Sequence, residues 1–279
     1  ELRKKNDIVD TFYPGDSFER QPVHTVYGGA HLFKSDTALK IQKLANVWVN
    51  AYGDNVKDFS EAVGLSHKKG LAEKVFERVQ NKLTTEALED FRIDFEDGYG
   101  NRPDDEEDQT AMEASEEVAK GYKEGTLPPF IGIRIKSFTN ELVGRSLRTL
   151  DLFITNLVEL SGGKIPQNFV VTLPKITDVS QVTTLVKAFE KLEEKLSLSS
   201  GTLEMEFMVE ATQSLYSSSG EFVLPIFLKA AKGRCRGAHF GTYDYTACVD
   251  ITAEYQTMEH ASCDIARNLM KIAFSTTGV

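Results

Sequence analysis

The sequence predicts an α/β fold, the (β/α)8 TIM barrel, with its last strand missing from this chain. Three observations carry that expectation. Short β-rich apolar runs recur along the chain, each ending in Gly or a polar residue and each followed by a helical stretch. Strand and helix alternate about every 35 residues, the pattern of βα units feeding a parallel sheet. Nearly every run lacks polar alternation, as strands buried on both faces do. A doubly wound sheet usually carries a Gly-rich phosphate turn after an early strand. Here Gly28-Gly29 is the only early glycine pair, and no GxGxxG follows it.

The strand-like runs are Val23–Tyr27, Phe91–Phe95, Phe130–Ile135, Asn168–Leu173, Leu203–Val209 and Cys235–Phe240, with a weaker seventh at Lys271–Ser275. Helical patterns lie between them. Asp36–Ala51 places Leu39, Ile41, Leu44, Val47 and Trp48 at helical spacing, and similar patterns cover Glu106–Tyr122, Thr139–Leu160, Val179–Leu196, Gly220–Lys232 and Met258–Met270. No linker or repeat interrupts the chain, so residues 1–279 read as one barrel domain with a short N-terminal extension, 1–22. A closed barrel of this type needs eight strands. The native polypeptide is therefore expected to continue beyond Val279 and supply the eighth.

Charge and cysteine content exclude several classes. A net charge of −10 argues against nucleic acid and against anionic membrane surfaces. The longest apolar run, Phe222–Leu228, is far too short to span a bilayer. Cys235, Cys248 and Cys263 are widely spaced and form no CxxC, which suits a reducing, cytoplasmic setting and neither a disulfide framework nor a zinc site.

In TIM barrels the chemistry sits at the carboxyl ends of the strands. Read at that position, the runs end on Gly28-Gly29, on Asp94, Glu96 and Asp97, on Arg134, on Lys175, on Glu210 and on Asp244. A lone acid at a strand end is usually a helix cap or a surface charge. Five successive strands ending on ionisable residues at one face is a different matter, and points to a site. Asp94, Glu96 and Asp97 close an apolar run, where an unpaired charge is costly, whereas the acids after Pro103 read as a solvated charge run. Glu210 and Asp244 offer hard oxygen ligands without His or Cys nearby, a donor set suited to Mg²⁺. Arg134 supplies a planar fork for a carboxylate or carbonyl oxygen. A metal and an arginine around one oxygen can stabilise an enolate, which is the chemistry of making or breaking a C–C bond next to a carbonyl. Tyr27, Gly28, Gly29 and Lys175 join Arg134 as candidate substrate contacts.

Residues 23–29, 93–98, 132–136, 171–175, 208–212 and 237–246 resemble, in order, the strand ends of the citrate lyase β-subunit/HpcH–HpaI aldolase family of the phosphoenolpyruvate/pyruvate-binding barrel superfamily. Its D-L-E-D looks like Asp94–Asp97, its R-[VI]-N like Arg134-Ile135-Lys136, and its L-P-K like Leu173-Pro174-Lys175. Its E-T is similar to Glu210-Ala211-Thr212, and its F-G-x-x-D to Phe240–Asp244. The resemblance covers roughly residues 20–255 and is that of a divergent branch.

It implies Mg²⁺ on Glu210 and Asp244, Arg134 on the substrate oxygens as a catalytic group, and Glu96 and Asp97 orienting the arginine or the metal waters. The implied reaction is a Mg²⁺-dependent lyase or aldolase step on a 2-oxo or 3-hydroxy acid, or on its CoA thioester, in a homo-oligomer. Malate-synthase-like condensation with thioester hydrolysis and a non-catalytic binding barrel are the alternatives. His24, Tyr27 and His31 depart from the family pattern in the first strand, and a basic track for the nucleotide of coenzyme A is not evident.

Overall fold

The computed structural model describes residues 1–65, 68 and 70–279. Six parallel strands form one sheet in sequence order. They are β1 (Val26–Gly29), β2 (Asp90–Asp94), β3 (Phe130–Arg134), β4 (Phe169–Leu173), β5 (Glu204–Val209) and β6 (Cys235–Phe240). Helix α1 (Leu2–Phe12) precedes β1, and α2 (Thr37–Tyr52), α3 (Val56–Ala62) and α4 (Leu71–Thr85) separate β1 from β2. Single crossover helices then follow: α5 (Asp104–Glu124), α6 (Val143–Leu160), α7 (Val179–Lys195) and α8 (Leu224–Ala230). Helices α9 (Thr242–Cys248) and α10 (Ala261–Phe274) follow β6.

The sheet curls into a partial barrel that is not closed. Tyr27 of β1 and His239 of β6 meet edge to face at 5.8 Å, and the Tyr27 hydroxyl reaches Glu206 of β5 at 3.5 Å. Neither contact is possible across a flat six-stranded sheet with strands nearly 5 Å apart.

The strands do alternate, contrary to the reading of continuous apolar runs. Asp90, Arg92 and Asp94 of β2 turn inward, while Phe91, Ile93 and Phe95 turn outward; on β5 Glu206 and Glu210 oppose Met205, Phe207 and Val209. All of these residues are buried, which hides the alternation from a count of exposed positions. The outward set packs with Ile131, Ile133, Val171 and Leu173 against Val118, Phe153, Leu157, Val182, Leu185 and Phe189 of α5–α7. Each such side chain contributes roughly 1.5–3 kcal/mol of apolar burial.

Inside the barrel, Glu206 is the hub of a polar layer. Arg92 forks onto it through Nε (2.7 Å) and Nη2 (2.8 Å), Thr172 donates to it at 2.5 Å, and His239 Nε2 lies 3.1 Å away. Arg92 also pairs with Asp90. A buried charge of this kind survives only when paired and hydrogen-bonded on every side.

Three further expectations change. The seventh run, Lys271–Ser275, is no strand: it forms the last turn of α10, where Cys263, Ala266 and Ala273 are buried at helical spacing. The first strand lies later than Val23–Tyr27, because Val23 is exposed and its N–H is taken by the Glu89 carboxylate rather than by a strand partner. The acids after Pro103 are not all solvated. Glu107 is fully buried, with Lys136 Nζ at 3.1 Å and the Thr149 hydroxyl at 2.6 Å. The remaining first-turn acids, Asp104, Asp105 and Glu106, suit the positive end of the α5 dipole.

Candidate active site

The carboxyl ends of the strands converge on one cluster of charges. Asp94, the last residue of β2, accepts hydrogen bonds from the Glu96 amide (2.9 Å) and the Gly98 amide (2.7 Å). That tight turn swings Glu96 and Asp97 round toward the barrel axis. A Cβ on Gly98 would stand 2.6 Å from Asp94 Oδ2, so the turn requires glycine there.

Arg134 ends β3 directly opposite Asp94 in the sheet register. Its Nε and Nη2 grip the two Asp94 oxygens at 2.8 and 2.5 Å. The third nitrogen, Nη1, lies 3.3 Å from Glu96 Oε2 and 3.4 Å from Asp97 Oδ2. The guanidinium sits over the Tyr27 ring at 5.0 Å, a cation–π contact that fixes it from below. Burial works against the charged form, but the Asp94 hydrogen bonds and the charges of Asp94, Glu96 and Asp97 together outweigh it.

Lys136, two residues on, points the other way. It is buried, donating to the carbonyls of Phe95 (2.6 Å) and Gly100 (3.1 Å) and pairing with Glu107. It thus staples both ends of the turn that carries Glu96 and Asp97.

Lys175 follows Pro174 at the end of β4 and adopts a left-handed backbone, φ +50°. Non-glycine residues reach that region at an energetic cost, and such outliers concentrate at functional sites. Its Nζ lies 2.5 Å from Glu96 Oε1, 3.3 Å from Asp97 and 3.0 Å from Asp244 Oδ2. Its amide donates to Glu210 Oε1 at 2.7 Å. Burial would lower its pKa, but the hydrogen bond to Glu96 and the charge of Glu210 hold the ammonium well above the ordinary lysine range.

Glu210 directly follows β5 and is buried; Asp244, in the first turn of α9, is 43% exposed at its side chain. Burial pushes the Glu210 carboxyl up to about 8; the Lys175 charge and amide pull it down, and the Asp244 carboxylate adds to the rise. Burial likewise raises Glu96, against the opposing pull of Lys175. Glu96 Oε2 is buried and has no hydrogen-bond partner.

Six of the residues singled out from sequence therefore meet: Glu96, Asp97, Arg134, Lys175, Glu210 and Asp244. Tyr27 forms the floor. Gly29 abuts the Glu96–Gly98 turn, with Gly98 O 2.3 Å from where its Cβ would be. Gly28 does not fit the expectation of a substrate contact: it faces the helical layer, where a Cβ would stand 2.6 Å from the Phe91 ring. His24 lies at the amino end of the sheet, accepting the Glu89 amide at 3.3 Å, and His31 packs against Tyr99. The Arg92–Glu206–His239 layer beneath the site is not among the residues singled out from sequence; its signal is the even spacing of Asp90, Arg92 and Asp94 and of Glu204, Glu206 and Glu210.

Residues 2–279 match the family described as a domain of unknown function, DUF6986. The chain belongs to that family. No curated protein matches the sequence. Among solved structures, a citrate lyase from Burkholderia xenovorans LB400 superposes on this DUF6986 chain with a TM-score of 0.50 at 18% identity, over 71% of this chain and 56% of its own. A malate synthase from Haloferax volcanii, solved as a lead(II) complex, gives a TM-score of 0.52 at 16% identity, over 68% of this chain and 51% of its own. The DUF6986 chain thus spans about half the length of these matched structures. At such identities the likeness is one of fold, and it is to barrel enzymes.

Proposed function

We propose that this chain is a Mg²⁺-dependent carbon–carbon lyase or aldolase, related to the citrate lyase β-subunit/HpcH–HpaI family. It would act on a 2-oxo or 3-hydroxy acid or its CoA thioester. The observation that carries the reading is the charge balance at the carboxyl end of the barrel. Among the described residues five carboxyl groups, Asp94, Glu96, Asp97, Glu210 and Asp244, meet two cations, Arg134 and Lys175, and burial with so little positive charge pushes Glu96 and Glu210 up. An anionic substrate would be repelled from such a cluster unless a further cation came with it.

The donors fit Mg²⁺. Glu210 and Asp244 are hard oxygen donors from neighbouring strand ends, and Mg²⁺ binds through one or two carboxylates while keeping several waters. The ion would supply the Lewis acid that polarises a substrate carbonyl.

The chain's own groups do the rest. Arg134, clamped by Asp94 and backed by Tyr27, presents Nη1 to a substrate oxygen and stabilises negative charge as it develops there. Glu96 and Asp97 hold Lys175 and orient water at the rim. Lys136 keeps their turn in place. The protein is read as a cytoplasmic homo-oligomer built on this single barrel domain.

The test is a screen of oxaloacetate, pyruvate and acyl-CoA/oxo-acid pairs for turnover with Mg²⁺ and with EDTA. Metal-dependent C–C cleavage or condensation supports the reading. Turnover unaffected by EDTA, or none with any of these substrates, overturns it.

A further inference from the structure

We infer that the Lys175 ammonium is an internal cation that competes with the divalent ion for this site, so that the metal enters only as Lys175 withdraws from Asp244. The inference rests on the metal reading above and concerns how that site is regulated. Nζ stands where the carboxylates of two chain segments converge, Glu96 and Asp97 from the turn after β2 and Asp244 from α9. Its backbone amide meanwhile takes one oxygen of Glu210. One residue thus engages both expected metal donors.

Two further observations point to a second cation rather than to a completed ion-pair network. The Glu96 side chain is only 9% exposed, yet its Oε2 has no hydrogen-bond partner, with Arg134 Nη1 3.3 Å away. A buried carboxylate oxygen left in this way is costly. In addition, the lysine is 32% exposed at its side chain and borders solvent through the half-exposed Asp97 and Asp244, so its head can leave without unpacking the core. A flexible four-carbon stem with a point charge is suited to such exchange, whereas the forked Arg134 is not.

The consequence is that the lysine weakens metal binding by the free energy of its contact with Asp244. Titration calorimetry with MgCl2 alone on the wild-type chain, Lys175→Met and Lys175→Arg reads this without any substrate. Lys175→Met should bind Mg²⁺ up to about tenfold more tightly than wild type, a difference of at most about 1.4 kcal/mol. Lys175→Arg keeps the charge and should show no gain. Circular dichroism and melting temperature confirm that each variant is folded, and Lys175→Gln serves in place of a Met variant that is not. Unchanged or weaker binding in the neutral variant, where wild type does bind, overturns the exchange and leaves the metal reading standing. A gain in the Arg and Met variants alike would also overturn it, since charge would not be the cause. Absence of binding by every folded protein removes the metal reading and the exchange together.

Discussion

Arg134 and Asp94 face each other across the β2–β3 register, and the guanidinium grips the carboxylate through Nε and Nη2 at 2.8 and 2.5 Å. One edge of the arginine is thereby committed to the scaffold, and Nη1 alone is turned toward Glu96, Asp97 and the site. A lysine at this position can hold the charge but cannot grip Asp94 and reach a substrate at once. Arg134→Lys should therefore lower turnover by about two orders of magnitude or more while leaving secondary structure intact. Steady-state kinetics on whichever substrate passes the screen checks this; activity within a factor of a few of wild type would assign Arg134 to structure alone.

The metal donors make a second expectation. Glu210→Gln and Asp244→Asn each replace a carboxylate donor by an amide of the same size, so each should abolish measurable Mg²⁺ binding in calorimetry with the fold unchanged. Affinity retained in both variants would show that the ion, if bound, lies elsewhere.

Glu206 should contribute to the acid limit of stability. Burial opposes its charged form, yet Arg92 and His239 hold the carboxyl well below the ordinary glutamate value of 4.5. A depressed folded-state value means that the stabilisation is fully present above about pH 4.5 and is lost as pH falls toward the folded-state value. Glu206→Gln should flatten that acid limb. It should also cost about 3–5 kcal/mol near neutrality, because Arg92 would be left with Asp90 alone. Urea unfolding as a function of pH measures both effects.

Lys136 gives a prediction on the scaffold of the site. Lys136→Met would leave Glu107 buried without its ammonium partner and free the carbonyls of Phe95 and Gly100. A loss of about 3–5 kcal/mol is expected, read by chemical denaturation. A change below about 1 kcal/mol would mean that Arg145, 3.6 Å from Glu107, is a sufficient partner.

The parts of this molecule that were legible in the sequence are those governed by local periodicity. Strands β2 to β6 and the helices between them follow from apolar runs and 3.6-residue spacing, and the ionisable residues at the ends of β2 to β6 meet in one charge cluster. What was not legible depends on contacts between distant segments. Lys136 and Glu107 look like surface charges in sequence, and only the packing of α5 and α6 over β3 makes them a buried pair. Lys271–Ser275 is β-like in composition, and the pattern of Cys263, Ala266 and Ala273 overrides it. Lys175 was visible as a strand-end lysine, but its position among Glu96, Asp97 and Asp244 follows from the curl of the barrel.

Gly29 offers the sharpest separation of site geometry from stability. It closes β1, with φ −51° and ψ 137°, a conformation open to alanine, so no backbone strain stands against substitution. Space does: the new Cβ would lie 2.3 Å from the Gly98 carbonyl oxygen and 2.7 Å from the His31 ring. The ring can rotate away, but the carbonyl belongs to the turn pinned by Asp94 through the Gly98 and Glu96 amides. Gly29→Ala must therefore move that turn, and with it Glu96 and Asp97 on the rim. The overpacking should cost about 1–3 kcal/mol, a loss that a domain of ordinary stability survives. Displacement of the two acids should nonetheless reduce turnover by a larger factor than the loss of folded protein accounts for, since small misplacements at a reacting centre can cost on the order of a hundredfold. Melting temperature and kinetics measured on the same sample decide it. A variant that melts several degrees lower yet turns over like wild type would show that Glu96 and Asp97 need no accurate placement.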